Sequence, residues 1–336
     1  MILSPIISVV MGVFNSSLHL DESIESVLVQ TEADFEYIIV NDGSTDEQVQ
    51  LILEDYASRD QRIRVIHKKN EGLTRALIAG CAAAKGKYIA RIDVGDVMVP
   101  ERLSRQRAVL DEHPEVALVT CWTECCGPEW EHLYTTKEKS VSVSDEPVWV
   151  ANVLSDQDNG DLLDGPSHHG SVMFRADAYR KAGGYRAAFY YGQDWDLWYR
   201  LAERGQFAGV REVLYRCRIF PDGISMGNVE RQRKIHECSR GAFLARRRGE
   251  DETQFLEKAA AIRPGSNDLG KTQSLQRQRL AAGYYFVGEA LRRNHDSRCR
   301  KYFAKAIQTK YIHLKSWLRM IQSLAIKESN AAIWNA

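Results

Sequence analysis

Tyr88-Ile89-Ala90-Arg91-Ile92-Asp93-Val94-Gly95-Asp96-Val97-Met98-Val99-Pro100 is a short apolar run that ends in two carboxylates, with a glycine just before the second. A strand buried in a parallel sheet reads as a continuous apolar stretch, and ligands of α/β sheets bind beyond the carboxyl ends of such strands. Acids placed there face a crevice, an arrangement suited to a cation and a phosphorylated ligand. The same residues also admit a plainer reading, in which Asp96 caps a helical turn starting near Pro100. The flanking sequence weighs between the two.

Upstream, strand and helix patterns alternate. Ile6 to Met11 reads as a strand ending in Gly12 to Asn15, and Leu20 to Gln30 has helical spacing at Ile24, Val27 and Leu28. A second strand, Phe35 to Val40, runs into Asn41-Asp42-Gly43-Ser44-Thr45-Asp46, then a helix from Glu47 to Ser58 and a third strand, Ile63 to His67. Asn70-Glu71-Gly72 opens a helix through Ala84, and the Tyr88 strand follows. This rhythm specifies an α/β fold with a mostly parallel central sheet, helices on both faces and right-handed crossovers.

Downstream, Val116 to Trp122 reads as a strand, and the polar stretch from Cys125 to about Leu163 as loop and short strands. His168 to Phe174 reads as a strand, Gly183-Gly184-Tyr185 as a turn, and Trp195, Leu197, Trp198 and Leu201 as one helix face. Val210 to Cys217 is a last strand before the turn residues Pro221-Asp222-Gly223. Beyond Met226 the pattern is helical, and 275–293 and 297–324 resemble helical hairpins of the tetratricopeptide kind, without a repeat in register. The expected organisation is a catalytic domain over 1–225 and a cationic helical extension over 226–336.

The 336 residues carry no formal net charge, which argues against a general nucleic-acid binder, and 44% apolar content supports a proper core. The balance is uneven. Residues 1–225 hold 23 Lys and Arg against 35 Asp and Glu, net −12, whereas residues 226–336 hold 22 against 10, net +12. A cationic tail suits anionic lipid or an anionic acceptor, and solvated helix faces produce the same count. The seven cysteines lack paired zinc-ligand spacing and read as reduced, buried thiols of a cytoplasmic protein. No apolar stretch reaches the roughly 18 residues of a membrane-crossing helix, which leaves peripheral contact at the inner face of the membrane open.

Three acidic clusters share the chemistry: Asn41-Asp42-Gly43-Ser44, Asp93 to Asp96, and Gln193-Asp194-Trp195-Asp196 at a helix start. Asp42 after a strand can accept hydrogen bonds from a base or ribose, or cap the helix from Glu47. No dinucleotide fingerprint G-x-G-x-x-G follows the first strand, and no P-loop occurs anywhere. A bound phosphate would therefore need a cation or arginines. Arg75, Arg91, Arg216 and Arg218 are the candidates, each equally readable as an ion-pair partner.

Taken in order, Ser8 to Asn15, Val40 to Asp46, Asn70-Glu71-Gly72-Leu73, Asp93 to Asp96 with Val99 to Leu103, His169 to Arg175, Gly183-Gly184-Tyr185 and Asp194-Trp195-Asp196-Leu197-Trp198 resemble the family 2 glycosyltransferases of the GT-A fold. The resemblance covers roughly residues 4–225. It implies a nucleotide-diphospho-sugar transferase fold and an inverting enzyme that moves a sugar, from a UDP-sugar in the first instance, to a hydroxyl of a glycan or polyprenyl-linked acceptor in surface polysaccharide synthesis.

Residue by residue, the resemblance places Asp42 on the nucleobase, with the first-strand loop, Val13 and Asn15, beside it. Asp93 matches the first acid of the family's Asp-x-Asp element, near the ribose, and Asp96 an acid just after it. Gly95 stands where the cation-binding acid is usual, so Asp93 and Asp96 are the expected ligands of a divalent cation, Mn2+ or Mg2+. Asp194 matches the general base, and its neighbour Gln193 replaces the family's first acid. His169 is expected to line the acceptor pocket, Trp195 to stack on a sugar, Arg75 and Arg91 to assist the donor, and Arg218 to contact substrate. Gly95 and Gln193 together also motivate an alternative, a nucleotide-sugar binding or scaffolding module without turnover.

Overall fold

A computed structural model describes residues 4–137, 146–154, 165–166, 168–223, 229–263 and 273–326. Parts of the polar stretch expected between Cys125 and Leu163 lie outside the described residues. The N-terminal half alternates as its pattern dictates: β1 (Ile7–Val13), α1 (Leu20–Leu28), β2 (Phe35–Asn41), α2 (Glu47–Arg59), β3 (Ile63–His67), α3 (Leu73–Ala83) and β4 (Tyr88–Arg91). Every β1 residue except Gly12 is buried, as expected of a strand covered on both faces. Asp46 starts α2, its Oδ1 accepting from the Gln48 amide at 3.0 Å, so the cap lies four residues beyond Asp42.

β3, β2, β1 and β4 pair in parallel in that order. The remaining strands are β5 (Val97–Met98), β6 (Val116–Cys126), β7 (His132–Thr136), β8 (Val148–Ala151), β9 (Met173–Arg175) and β10 (Gln206–Arg218). β9 pairs antiparallel with both β4 and β6, and β10 antiparallel with β5 and β8, closing a mixed ten-stranded sheet. The strand expected over His168 to Phe174 is shorter. His169–Ser171 form a 3-10 turn instead, because the amides of Ser171 and Gly170 bond back to the carbonyl and Nδ1 of His168. Helices α4 (Arg102–Glu112), α5 (Ala176–Lys181) and α6 (Gln193–Ala202) fill the gaps between these strands.

The chain forms two compact units. The first holds Met1–Thr123, Thr136–Cys217 and Glu230–Arg263, and the second Glu124–Thr135, Arg218–Val229 and Pro264–Ala336. The units therefore do not divide at one point near residue 225: α7 (Val229–Arg247) and α8 (Thr253–Ala261) lie almost wholly in the first. There, Ile235, Cys238 and Ala259 pack on Phe189, and Arg186 bridges Asp196 to Glu252. The second unit contains α9 (Gln273–Arg293), α10 (Cys299–Thr309) and α11 (Leu314–Ser323) around Leu133, Val287, Leu291, Tyr302 and Phe303. Tyr302 closes this core by donating to the buried Glu131 at 2.6 Å.

Two fully buried arginines stand in the first unit, behind the end of β4. Arg102 donates to the carbonyls of Arg91 at 2.8 Å and Val172 at 3.0 Å and to Gln106 at 3.0 Å, while its guanidinium lies 4.8 Å from the Tyr215 ring centroid. Gln106 in turn donates to the Ser171 carbonyl at 2.8 Å. This network satisfies main-chain carbonyls where the parallel part of the sheet gives way to the antiparallel part. Arg102→Met, which keeps the side-chain bulk but removes these donors, is expected to lower stability by about 1–3 kcal/mol. A urea melt with a lower midpoint and unchanged slope is the corresponding readout.

Candidate active site

The acids that close the Tyr88 run are brought together by a turn. The Asp96 amide donates to the Asp93 carbonyl at 3.1 Å, and Gly95 sits at φ +93° at the third position of that turn. Type II turns require positive φ there, a region nearly closed to side chains other than Asn and Asp and most readily entered by glycine. Ser23 braces the turn from α1, accepting from the Gly95 amide at 2.9 Å and donating to the Asp96 carbonyl at 2.8 Å. Asp96 is not the cap of a following helix: α4 starts at Arg102, and no side chain caps it.

Tyr215, on β10, holds the pair from the other side. Its buried hydroxyl accepts from the Asp93 amide at 3.1 Å and donates to Asp96 Oδ2 at 2.8 Å. Gly170 makes this possible, since a Cβ there would lie 1.9 Å from the hydroxyl. The neighbouring His168 presents Nε2 at 3.8 Å from Asp96 Oδ2, and Asp93, Asp96 and His168 offer ligand atoms within 4.8 Å of one another.

Two carboxylates and one imidazole fit a hard to borderline divalent cation, with Mn2+ the better match than all-oxygen Mg2+. As the side chains stand, His168 Nδ1 accepts from the Gly170 amide at 3.1 Å, which puts the neutral ring's proton on Nε2. Ligation through Nε2 requires that proton to move to Nδ1 and the Gly170 bond to be given up. Sequence reasoning singled out His169, for the acceptor pocket, and named no histidine as a cation ligand. The adjacent pair was the available signal, but only the 3-10 turn decides which ring faces the acids.

Asp194 lies in the first turn of α6, after Gly192, whose φ of +62° turns the chain into the helix. Its Oδ1 accepts from the Trp195 amide at 2.9 Å. Burial pushes its carboxyl up to about 6, against the backbone amides and Arg91, with the negative charge of Asp93 adding to the rise. For Asp93 the sum runs the other way: burial raises it, but Arg91 at 2.6 Å brings it below the usual carboxylate value. One acid is thus poised to exchange a proton near neutrality while its neighbour stays ionised.

His169 is packed beside this pair, its Nε2 2.7 Å from the Tyr185 hydroxyl and its ring edge-on to Trp198. Burial, then Arg91, push it down to about 3, so it is a neutral wall of the site. Trp198 belongs to the core, whereas Trp195 is half-buried between Trp198 and His236.

Asp42 is 3% exposed and accepts from Lys68 Nζ at 2.6 Å and from the Gly72 amide at 2.7 Å. It anchors the loop that opens α3, a role equal in weight to any contact with a base. Asn15, at φ +49°, accepts from the amides of Thr45 at 2.7 Å and Asp46 at 3.1 Å, and the Val13 carbonyl accepts from the Asp42 amide at 2.9 Å. These residues shape the loop beyond β2. Arg75 is half-exposed on α3, 3.7 Å from Glu71.

Arg91 requires correction as a donor contact. It is fully buried, with its guanidinium bonded to the Val10 and Ile92 carbonyls and to Asp93, so it acts on a ligand only through Asp93. Arg218 belongs to the second unit, where it lies 3.9 Å over the Trp130 ring.

Comparisons with known proteins agree with this geometry. The family model described as "Glycosyl transferase family 2" matches residues 8–183. EpsE of Bacillus subtilis is 35% identical over 222 residues, covering 64% of this chain and 73% of that protein. Chondroitin synthase of Pasteurella multocida is 26% identical over 234 residues, 69% of this chain and 22% of the synthase. TarS 1–349 of S. aureus aligns with a TM-score of 0.51 at 15% identity, over 94% of this chain and 88% of that one. Its structure in complex with UDP-GlcNAc aligns with a TM-score of 0.50 at 15% identity, over 94% and 89%. At that identity the structures establish the GT-A architecture.

Gly95→Asp, which installs the usual acid, is expected to lower stability by about 1 kcal/mol, because Asp enters the positive-φ region more readily than other side chains but less readily than glycine. Urea denaturation beside a Mn2+ titration checks it: unchanged stability with tighter metal binding would contradict the role given to the turn.

Proposed function

Because the chain belongs to glycosyl transferase family 2, we propose that it is an inverting glycosyltransferase. It moves a sugar from a nucleotide-diphospho-sugar to a hydroxyl of a glycan or polyprenyl-linked glycan in surface polysaccharide synthesis. The observation that carries the reading is Asp194, a half-buried carboxyl that desolvation raises to about 6 and that is electrostatically coupled to an ionised Asp93. UDP is the preferred nucleotide because TarS, of similar fold, has been solved with UDP-GlcNAc. The first unit is the catalytic body in this reading.

In the reaction Asp194 accepts the proton of the acceptor hydroxyl while that oxygen forms its bond to the anomeric carbon. The bond from that carbon to the diphosphate oxygen breaks, its electron pair leaves with the nucleoside diphosphate, and a single displacement inverts the centre. Asp93, Asp96 and His168 would hold a divalent cation, which when bound would supply positive charge to offset the negative charge developing on the departing diphosphate. Tyr215 keeps the two acids in register. Asp42, Asn15 and Val13 order the loop assigned to the nucleobase, with Arg75 at its rim. His169 and Trp195 are assigned to the acceptor side.

Among the described residues no helix is long and apolar enough to cross a membrane. We place the protein in the cytoplasm, in peripheral contact with the inner face of the membrane that carries a polyprenyl-linked acceptor. The second reading, a nucleotide-sugar module without turnover, draws on Gly95 and Gln193, and a transfer assay decides between them.

Asp194→Asn is expected to cut transfer by roughly 10²–10⁴-fold while leaving donor binding intact. For the unaltered chain kcat/KM should fall as pH drops through about 6, because protonation removes the base. Transfer at full rate in the Asn variant would sink the assignment. Chelation should abolish transfer, and His168→Ala should raise the Mn2+ concentration needed to restore it by roughly tenfold or more. Activity indifferent to chelator would remove the cation from the mechanism.

A further inference from the structure

α11 of the second unit is built inside out. Its inward face carries Ser316 and Ser323, both fully buried, together with Met320 against the core. Its large apolar residues point the other way: Leu314 is 75% exposed, Leu318 54%, Ile321 64% and, just past its end, Leu324 68%. With Trp317 they recur at helical spacing and fall within roughly 120° of the helix circumference. Just before the helix, Tyr311 and Ile312 are more than 70% exposed, and Tyr311 meets Trp317 edge to face at 5.7 Å. A monomer in water gains nothing by displaying such a stripe, and contiguous exposed apolar surface marks an interaction site.

Charge identifies the partner. From Ser297 to Lys327 the sequence contains eight Lys and Arg and no Asp or Glu. On α11 itself, exposed Lys315 borders the stripe, with Lys310 just ahead of it, while half-buried Arg319 is engaged by Glu289 at 3.2 Å. An apolar stripe with Trp and Tyr at its edge and lysines along its border is the pattern of a helix lying in the plane of an anionic lipid surface. A second copy of this chain would bring the same cations against themselves. We propose that α11 docks on anionic phospholipid bilayers, with Leu314, Trp317, Leu318, Ile321 and Leu324 entering the interface and the lysines meeting headgroup phosphates. This deepens the peripheral membrane contact in the proposed function and is independent of Asp194.

The test is co-sedimentation of the purified full chain with vesicles of phosphatidylcholine alone or with about 30% phosphatidylglycerol. The expected result is binding to the anionic vesicles, weakened by salt. Leu318→Glu with Ile321→Glu should reduce it by roughly tenfold or more, with an unchanged thermal melt. Lys310→Ala with Lys315→Ala, which leaves the apolar stripe whole, should weaken anionic binding alone. The proposal is overturned if the unaltered chain ignores both vesicles, if the Glu variant binds as well as it does, or if sedimentation shows only a dimer that the Glu variant splits. Donor hydrolysis measured in parallel keeps the readings apart: lost vesicle binding with retained turnover concerns α11 alone, and the converse concerns Asp194 alone.

Discussion

The hydroxyl of Tyr215 is the point on which the site depends. A phenol has one proton to give and lone pairs to accept with, and here it gives to the Asp96 carboxylate while accepting from the Asp93 amide. The two ends of the turn are thereby fixed to one atom. The ring is held beneath the Arg102 guanidinium, which is itself committed to the carbonyls of Arg91 and Val172. Gly170 leaves the space into which the hydroxyl projects. Sheet, turn and the two acids are thus parts of one hydrogen-bonded assembly.

Electrostatics then divides the labour between acids. Arg91, enclosed in the sheet and bonded to Asp93, stabilises the ionised form of that carboxylate. Among the described residues no cation is bonded to Asp194, and desolvation outweighs the backbone amides and the more distant pull of Arg91. Two aspartates of the same intrinsic acidity are driven apart because a buried guanidinium holds one ionised while desolvation raises the other. Asp196, two residues beyond Asp194, shows the contrast: it is tied to Arg186 and Arg200 and holds α6 in place, which makes it structural despite its place in the same acidic cluster.

Much of this was legible in the chain itself. Apolar runs set the parallel strands because β1, β2 and β4 are buried on both faces, so composition and position agree. The acids after β2 and β4 were readable for the same reason, since strand ends in an α/β sheet open onto a crevice. Contacts made across long stretches of chain were not. Nothing local to Arg91 says that its guanidinium turns inward to Val10, and nothing local to Tyr215 says that it meets residues 93 and 96. The strand expected over His168 to Phe174 failed at its start because a histidine ring competes with the sheet for the Gly170 amide. That same local bond is what turns His168 toward the acids.

The bonds from Tyr215 to Asp93 and Asp96 span 122 and 119 residues of chain. Closing loops of that length must await most of the sheet, because the entropy of closure is spent before the contact is gained. On a ribosome, the acids after β4 emerge long before the tyrosine that sets them. A chain interrupted before β10 therefore lacks the atom that organises this pair of acids, and the geometry of the candidate site becomes a late property of synthesis, acquired only once the antiparallel edge of the sheet is complete.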